Sequence, residues 1–318
     1  MVDFDAYVWL LTDPETSVGS APLADVPGPL LPLLPRLIAL KYLTKVNRWT
    51  TLGSSAASLH QTTGGDLSRS RLWRELLGSH GIVDMASCVF RDRFGCWGFL
   101  DLWRSSTDDP FTTLEVTYLT SLLEAVTTGL RRCQANTFVV RPRREPHRLG
   151  PVVLLLSPEL KVLGQTPETH EYLRVLVPPA DGRAPIPASA YNVGAQLLAV
   201  EAEVDRNPPS ARVHLSEGLW VNLRAARIGD AGSARDRNMA VTIEEASPTE
   251  RVSLFGRAFG LSPRETELLS HLLTGTDTGE LAHKMFLSEY TVQDHLKSIF
   301  SKTSTHNRRS LLSRAIGT

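Results

Sequence analysis

Cysteine is scarce. The 318 residues include three, Cys88, Cys96 and Cys133. An odd count without framework spacing excludes a disulfide-stapled fold and points to a reducing compartment. Long apolar runs are missing too. The most apolar stretch, 30–43, is too short to span a bilayer and is broken by Pro32, Pro35, Arg36 and Lys41. The start, Met1-Val2-Asp3-Phe4-Asp5, carries no signal-peptide pattern. The expected location is therefore the cytoplasm, with no membrane partner. Net charge is zero, from 34 basic and 34 acidic residues, which excludes a polycation that coats nucleic acid. No Walker motif, nucleophile elbow or dinucleotide fingerprint occurs. His60, His80, His147, His170 and His214 share no metal-ligand spacing. No cofactor, metal or catalytic residue is expected. The N-terminus also lacks the strand-end Asp and acidic pair of a phosphorylated receiver domain. No internal repeat or low-complexity tract is seen. What remains is a chain with 42% apolar and 21% charged residues, long enough for two or three ordinary domains.

The most informative stretch is 261–318, where four short helices carry explicit start and stop signals. Ser262 can cap the first, Pro263 suits its first helical position, and Glu265 completes a capping box. Leu268, Leu269, Leu272 and Leu273 make its apolar stripe, and Gly275 ends it. Asp277 caps the second, with Leu281, Ala282, Met285 and Phe286 expected to face inward. Only Leu287 and Ser288 precede the third, whose Val292, Leu296 and Ile299 sit at i, i+4, i+7. Two short helices joined so tightly form a helix-turn-helix, whose second member is shaped for a DNA major groove.

The stretch resembles the LuxR-type DNA-binding domain. The resemblance rests on Pro263-Arg264-Glu265, Glu267, Gly275, Glu280-Leu281-Ala282, Leu287-Ser288, Thr291-Val292, His295-Leu296-Lys297, Ile299 and Lys302. It implies a four-helix fold, binding to double-stranded promoter DNA, and pairing as a homodimer on two-fold-symmetric sites. Three positions depart from the pattern. Gln293 stands where the family usually has a basic residue, and Asp294 adds a negative charge on the DNA-facing side. Thr303-Ser304-Thr305 replaces an aliphatic–Gly–aliphatic run, which predicts a less well packed last turn.

Within this motif Gln293, Asp294 and Lys297 point away from the apolar stripe. Gln can bond adenine bidentately, Asp can accept from cytosine, and Lys can reach guanine or phosphate. Thr278, Ser288 and Thr291 are candidate phosphate contacts through hydroxyls and helix N-terminal amides. Lys302 and Arg308 complete the local basic patch. His295 is expected to pack rather than read bases.

Upstream, 7–11 reads as a strand, 33–43 and 67–77 as helices, and 53–65 as a loop. Residues 85–90 and 96–103 form a hairpin, and 112–132 a long helix with Leu114, Tyr118, Leu122, Leu123, Val126 and Leu130 on one side. This order, with Trp97-Gly98-Phe99-Leu100, looks like a GAF-type sensory domain. Arg141 to Arg148, rich in proline and charge, reads as a linker. Strands at 151–156, 162–164, 212–215, 219–226 and 239–243, with helices at 166–175 and 186–200, look like a PAS-type fold. Cys88 and Cys96 are expected as small core residues. The tryptophans Trp9, Trp49, Trp73, Trp97 and Trp103 are mostly expected in the core, with no ligand pocket assigned.

The expected architecture is a multidomain chain. An α+β GAF-like domain spans 1–138, a linker 139–149, an α+β PAS-like domain 150–246, a connecting helix 247–260, and an all-α LuxR-type domain 261–318. Ser247-Pro248-Thr249-Glu250 opens the connecting helix, the sole covalent route expected between sensor and reader. The reading is a one-component, signal-responsive transcription regulator and not an enzyme. RNA polymerase and a small-molecule effector are its further candidate partners. The alternative is an enzyme or metabolite-binding protein that uses the C-terminal domain to target DNA.

Overall fold

The computed structural model describes residues 2–105, 109–139, 152–169, 187–215, 219–229 and 237–317. They divide into two compact units. The first comprises described residues within Met1–Thr128, Arg148–Val213 and Val221–Glu244. The second comprises those within Gly129–His147, His214–Trp220 and Glu245–Thr318.

The first unit holds two five-stranded sheets. One contains β1 (Ala6–Thr12), β2 (Gly19–Asp25), β3 (Ala57–Ser58), β4 (Ile82–Asp92) and β5 (Gly95–Ser105), in the order β2-β1-β5-β4-β3. Its pairs are antiparallel, with Trp9 opposite Leu100 and Cys88 also opposite Leu100 on the other side. The other contains β6 (Val152–Leu156), β7 (Val162–Gln165), β8 (Ser210–His214), β9 (Trp220–Arg227) and β10 (Met239–Glu245), in the order β7-β6-β10-β9-β8. Counted within each sheet, both follow one strand order.

Helix α1 (Leu34–Leu43), the short α2 (Leu59–Thr63) and the segment around Leu72 cover the first sheet. Leu37, Leu40, Leu59, Leu72, Met85 and Trp103 make up much of that core. The sequence reading assigned no element to β2, which carries Pro22. As an edge strand β2 tolerates it, since proline's missing donor need not face a partner. The helix expected over 67–77 is broken instead. Ser70 adopts an extended backbone, and its hydroxyl accepts from the Trp73 amide, so a 3-10 turn at 67–69 is separated from a π-type turn at 73–77.

Helix α3 (Thr113–Asn136) also differs from expectation. It buries Leu119, Leu123 and Thr127, while Leu114 and Tyr118 are 80% and 53% exposed. Thr127 can be buried because its hydroxyl donates back to the Leu123 carbonyl at 2.6 Å. Cys88 and Cys96 are both buried free thiols, and burial pushes Cys88 up to about 12.

Helix α4 (Ala188–Glu201) follows β7 in the described chain and is almost wholly buried within the first unit. At Gly194 a Cβ would lie 2.7 Å from Leu160 Cδ2 and 3.3 Å from Leu156 Cδ1, so glycine lets the helix sit close to the end of β6 and the turn after it. The two sheet regions are cross-bonded. Arg212 donates to both oxygens of Asp13 at 2.7 Å, and the Tyr42 hydroxyl donates to Asn192 Oδ1 at 3.0 Å. The Ser189 hydroxyl donates to the Ser20 carbonyl. The helix expected over 166–175 begins at 167–169 and otherwise falls outside the described residues, as does nearly all of the expected linker.

The second unit is mainly helical: α5 (Pro248–Ala258), α6 (Pro263–Leu272), α7 (Thr278–Met285), α8 (Glu289–Thr303) and α9 (Arg308–Ile316). Helix α5 packs against α6 and α9. At Gly256 a Cβ would meet Thr266 Oγ1 at 2.7 Å, so glycine permits the close approach of α5 to α6. Phe138 stacks on Trp220 and meets Phe255 edge-on, which ties α5 to two earlier pieces of chain. The chain passes between the units at 128/129, 213/214 and 220/221 as well as 244/245. The stretch before α5 is thus one of several places where the chain passes between the units.

Candidate nucleic-acid interface

The first three helices of the C-terminal motif start where the sequence places their caps. Ser262 and Glu265 form the reciprocal capping box of α6, and Ser247 with Glu250 that of α5. Asp277 accepts from the Glu280 amide, and Ser288 from the Thr291 amide. Gly275 takes a positive φ of 77° at the end of the first helix.

The turn between α7 and α8 is made by Phe286, Leu287 and Ser288. Phe286 adopts the left-handed conformation, φ 55°, so its side chain leaves the inward stripe of α7. It is 95% exposed, which corrects the expectation that it faces inward. Leu287 N–H donates to the Ala282 carbonyl at 2.9 Å and closes the turn.

Val292, Leu296 and Ile299 are fully buried and fix the rotation of α8. At about 100° per residue, Gln293, Asp294 and Lys297 then share the outer face, and all three are exposed. Lys297 Nζ lies 3.2 Å from Asp294 Oδ1 in an exposed pair that is individually weak. Ser288 and Thr291 sit at the N-terminus of this helix, their hydroxyls 2.9 Å apart. Tyr290, 74% exposed, lies on the same face. The sequence reading passed over it, although its position two residues before Val292 marks it as outward.

The remaining candidates serve the fold as well. Arg308 Nη2 donates to Thr278 Oγ1 at 2.5 Å, joining the starts of α9 and α7. Lys302 Nζ donates to both oxygens of Glu265, which also accepts from Ser298 at 2.6 Å. Burial alone would raise the Glu265 pKa, but the bonds from Lys302, Ser298 and Ser262 hold it at about 2. His295 is half-buried, as expected of a packing residue.

The last turn of α8 is better packed than the sequence suggests. Thr303 and Thr305 are buried, and their hydroxyls bond each other at 2.9 Å. Thr303 also donates to the Ile299 carbonyl, and Arg314 donates to the Thr303 carbonyl. Two hydrogen-bonded threonines thus fill the places of two aliphatic anchors. Ser304 adopts φ 50°, the conformation that glycine would take without strain.

Comparison with known proteins agrees with this geometry. Residues 260–315 match the family described as "Bacterial regulatory proteins, luxR family", and the C-terminal segment is a LuxR-family helix-turn-helix domain. Over 55 residues the chain is 40% identical to the CsgBAC operon transcriptional regulatory protein of Escherichia coli and to the probable csgAB operon transcriptional regulatory protein of Salmonella typhimurium. That aligned stretch is 17% of this chain and 26% of each relative. Over 71 residues it is 34% identical to the probable HTH-type transcriptional regulator GfsR of Streptomyces halstedii, 22% of this chain and 29% of that one. The chain therefore spans only 26–29% of the length of these relatives. The crystal structure of E. coli SdiA covers 99% of this chain and 84% of its own at 13% identity, with a TM-score of 0.33, too low to bear on the fold.

Proposed function

We propose that this protein is a one-component, sequence-specific DNA-binding transcription regulator whose first unit receives a chemical signal. The observation that carries the reading is the outer face of α8. A helix capped by Ser288 and held by Val292, Leu296 and Ile299 presents Gln293, Asp294 and Lys297 together, with the Ser288 and Thr291 hydroxyls at its N-terminus. Such a face offers base-edge partners on one side and phosphate partners at the helix start. Thr278, Lys302 and Arg308 extend the phosphate-facing set. The last two would do so while also holding the unit together.

The family resemblance of the first unit belongs to the same proposal. A five-stranded sheet of strand order 2-1-5-4-3 in each region supports a GAF-like reading of the first and a PAS-like reading of the second. Pairing of two copies on a two-fold-symmetric operator, contact with RNA polymerase and a cytoplasmic location follow from the regulator reading. Among the described residues no helix is long and apolar enough to cross a membrane. The test is to capture genomic fragments on the full-length protein, sequence them and look for a shared motif. Enrichment of one sequence with dyad symmetry is expected. Uniform recovery of random fragments would overturn the proposal.

A further inference from the structure

Helix α3 carries apolar residues on two sides. One side, with Leu119, Leu123 and Thr127, is buried against its own chain. The other holds Leu114, Tyr118 and Leu122, which are 80%, 53% and 38% exposed. At about 100° per residue, these three share one stripe with Ala125 and Gly129, which are also exposed. Steps of four, three and four residues join Tyr118, Leu122, Ala125 and Gly129, the spacing of a coiled-coil seam. A surface helix needs one apolar stripe to pack on its own chain. A second, left in the open, marks an interaction surface.

The stripe is graded in size. Its first half is bulky, with Leu114, Tyr118 and Leu122, and its second half is small, with Ala125 and Gly129. Glycine inside a helix is destabilising relative to alanine. Packing within the chain does not require it here, since a Cβ on Gly129 would meet no heavy atom within 4 Å among the described residues. The gap above Gly129 therefore faces outward. Ser121, on the flank of the stripe, donates its hydroxyl to the Tyr118 carbonyl at 2.6 Å. Its proton needs no water when the stripe is covered.

A second α3 turned end for end sets its small half against the bulky half of the first. With the two-fold axis between Leu123 and Glu124, Leu122 comes level with Ala125 of the second copy, and Tyr118 with Gly129. The same two contacts recur on the other side of the axis, as an isologous interface requires. A copy of this helix carries the inverse size gradient by symmetry, so the stripe is complementary to itself. We propose that α3 pairs antiparallel with α3 of a second copy, and that this contact makes the protein a dimer without DNA. The proposal deepens the pairing part of the regulator reading and rests on that reading only for the use of the dimer on two-fold-symmetric DNA.

The test is sedimentation equilibrium of the full-length protein without DNA, over about 1 to 100 μM. A monomer–dimer equilibrium is expected. Tyr118→Ala empties the contact and Gly129→Tyr overfills it, so each should weaken the dimer about tenfold or more. Both positions are exposed, so circular dichroism should show both variants folded. Combining Tyr118→Ala with Gly129→Tyr exchanges large for small across the interface. The double variant should return to within about threefold of the parent dissociation constant. Parallel pairing would set Tyr118 against Tyr118 and Gly129 against Gly129, and would give no such rescue. A parent that stays monomeric would overturn the proposal. So would folded single variants that dimerise like the parent, or a double variant as weak as the single ones. Sequence-specific DNA binding is measured separately on the same preparations. A dimer that binds no specific sequence would fail the regulator reading and leave the pairing standing. Specific binding by a parent that is monomeric without DNA would do the reverse.

Discussion

Lys302 and Glu265 form an ion pair that locks α8 to the start of α6, with Nζ 2.6 and 2.9 Å from the two carboxylate oxygens. The Glu265 side chain is 4% exposed and that of Lys302 is 37%. Glu265 thus caps α6 and anchors α8 at once. Glu265→Ala should destabilise the unit by about 1–3 kcal/mol, through the lost cap and the unpaired donors. Urea unfolding followed by circular dichroism would check this. A loss under about 0.5 kcal/mol would mean that the pair is no stronger than an exposed one.

The same carboxylate gives the unit a pH dependence. Its folded pKa of about 2 lies below the unfolded value of about 4.3. Its contribution is therefore present above about pH 4.3 and is lost as pH falls toward 2. Unfolding free energy measured between pH 5 and 2 should fall more steeply for the parent than for Glu265→Gln, which has no carboxylate to protonate. Equal slopes would remove Glu265 as a source of acid sensitivity.

In the first unit Arg212 and Asp13 make a buried bidentate pair. Burial would raise the Asp13 pKa, but Arg212 and the backbone amides hold it below the usual carboxylate range. Arg212→Met should cost about 3–5 kcal/mol, because it leaves Asp13 buried without its partner. Breaking the exposed Arg71–Glu75 pair should cost less than about 1 kcal/mol. Urea titration of both variants would show whether the two losses differ as expected or are alike.

Ser304→Gly should stabilise the second unit by about 0.5–1 kcal/mol, since glycine adopts the left-handed backbone without the strain borne by serine. Thermal unfolding would show it as a higher Tm. A lower Tm would mean that the Ser304 side chain contributes more than its backbone costs.

Caps and apolar stripes made the C-terminal motif legible, because they are local. Ser262, Asp277 and Ser288 announce their helices, and Val292, Leu296 and Ile299 fix which side of α8 faces out. Phe286 was misread because one left-handed residue removes a side chain from the helical period. Thr303 and Thr305 were expected to leave the last turn less well packed because they replace apolar anchors, whereas their hydroxyls bond each other inside it. In the first unit the pairing of Arg212 with Asp13 spans 199 positions, and no local pattern reports it. A cavity in that unit, assembled from β1, β5, α1 and α4, is equally non-local. Trp49 and Trp103 line it, but spacing alone did not distinguish them from other core tryptophans.

The most direct measurement compares binding to a cognate and a scrambled duplex across a salt series. Gln293→Ala should cost about 1–3 kcal/mol on the cognate site and little on the scrambled one. Asp294→Ala removes a negative charge and releases Lys297 from its 3.2 Å pair, so scrambled DNA should bind more tightly and discrimination should fall. Lys297→Ala should weaken both duplexes and, if its partner is a phosphate, lower the salt slope by about one unit. Val292→Asp serves as the unfolding control, because it buries an unpaired charge. The regulator account predicts a reduced cognate-to-scrambled ratio for Gln293→Ala and Asp294→Ala in folded protein. An unchanged ratio in both would contradict it, because the outer face of α8 would then not read bases.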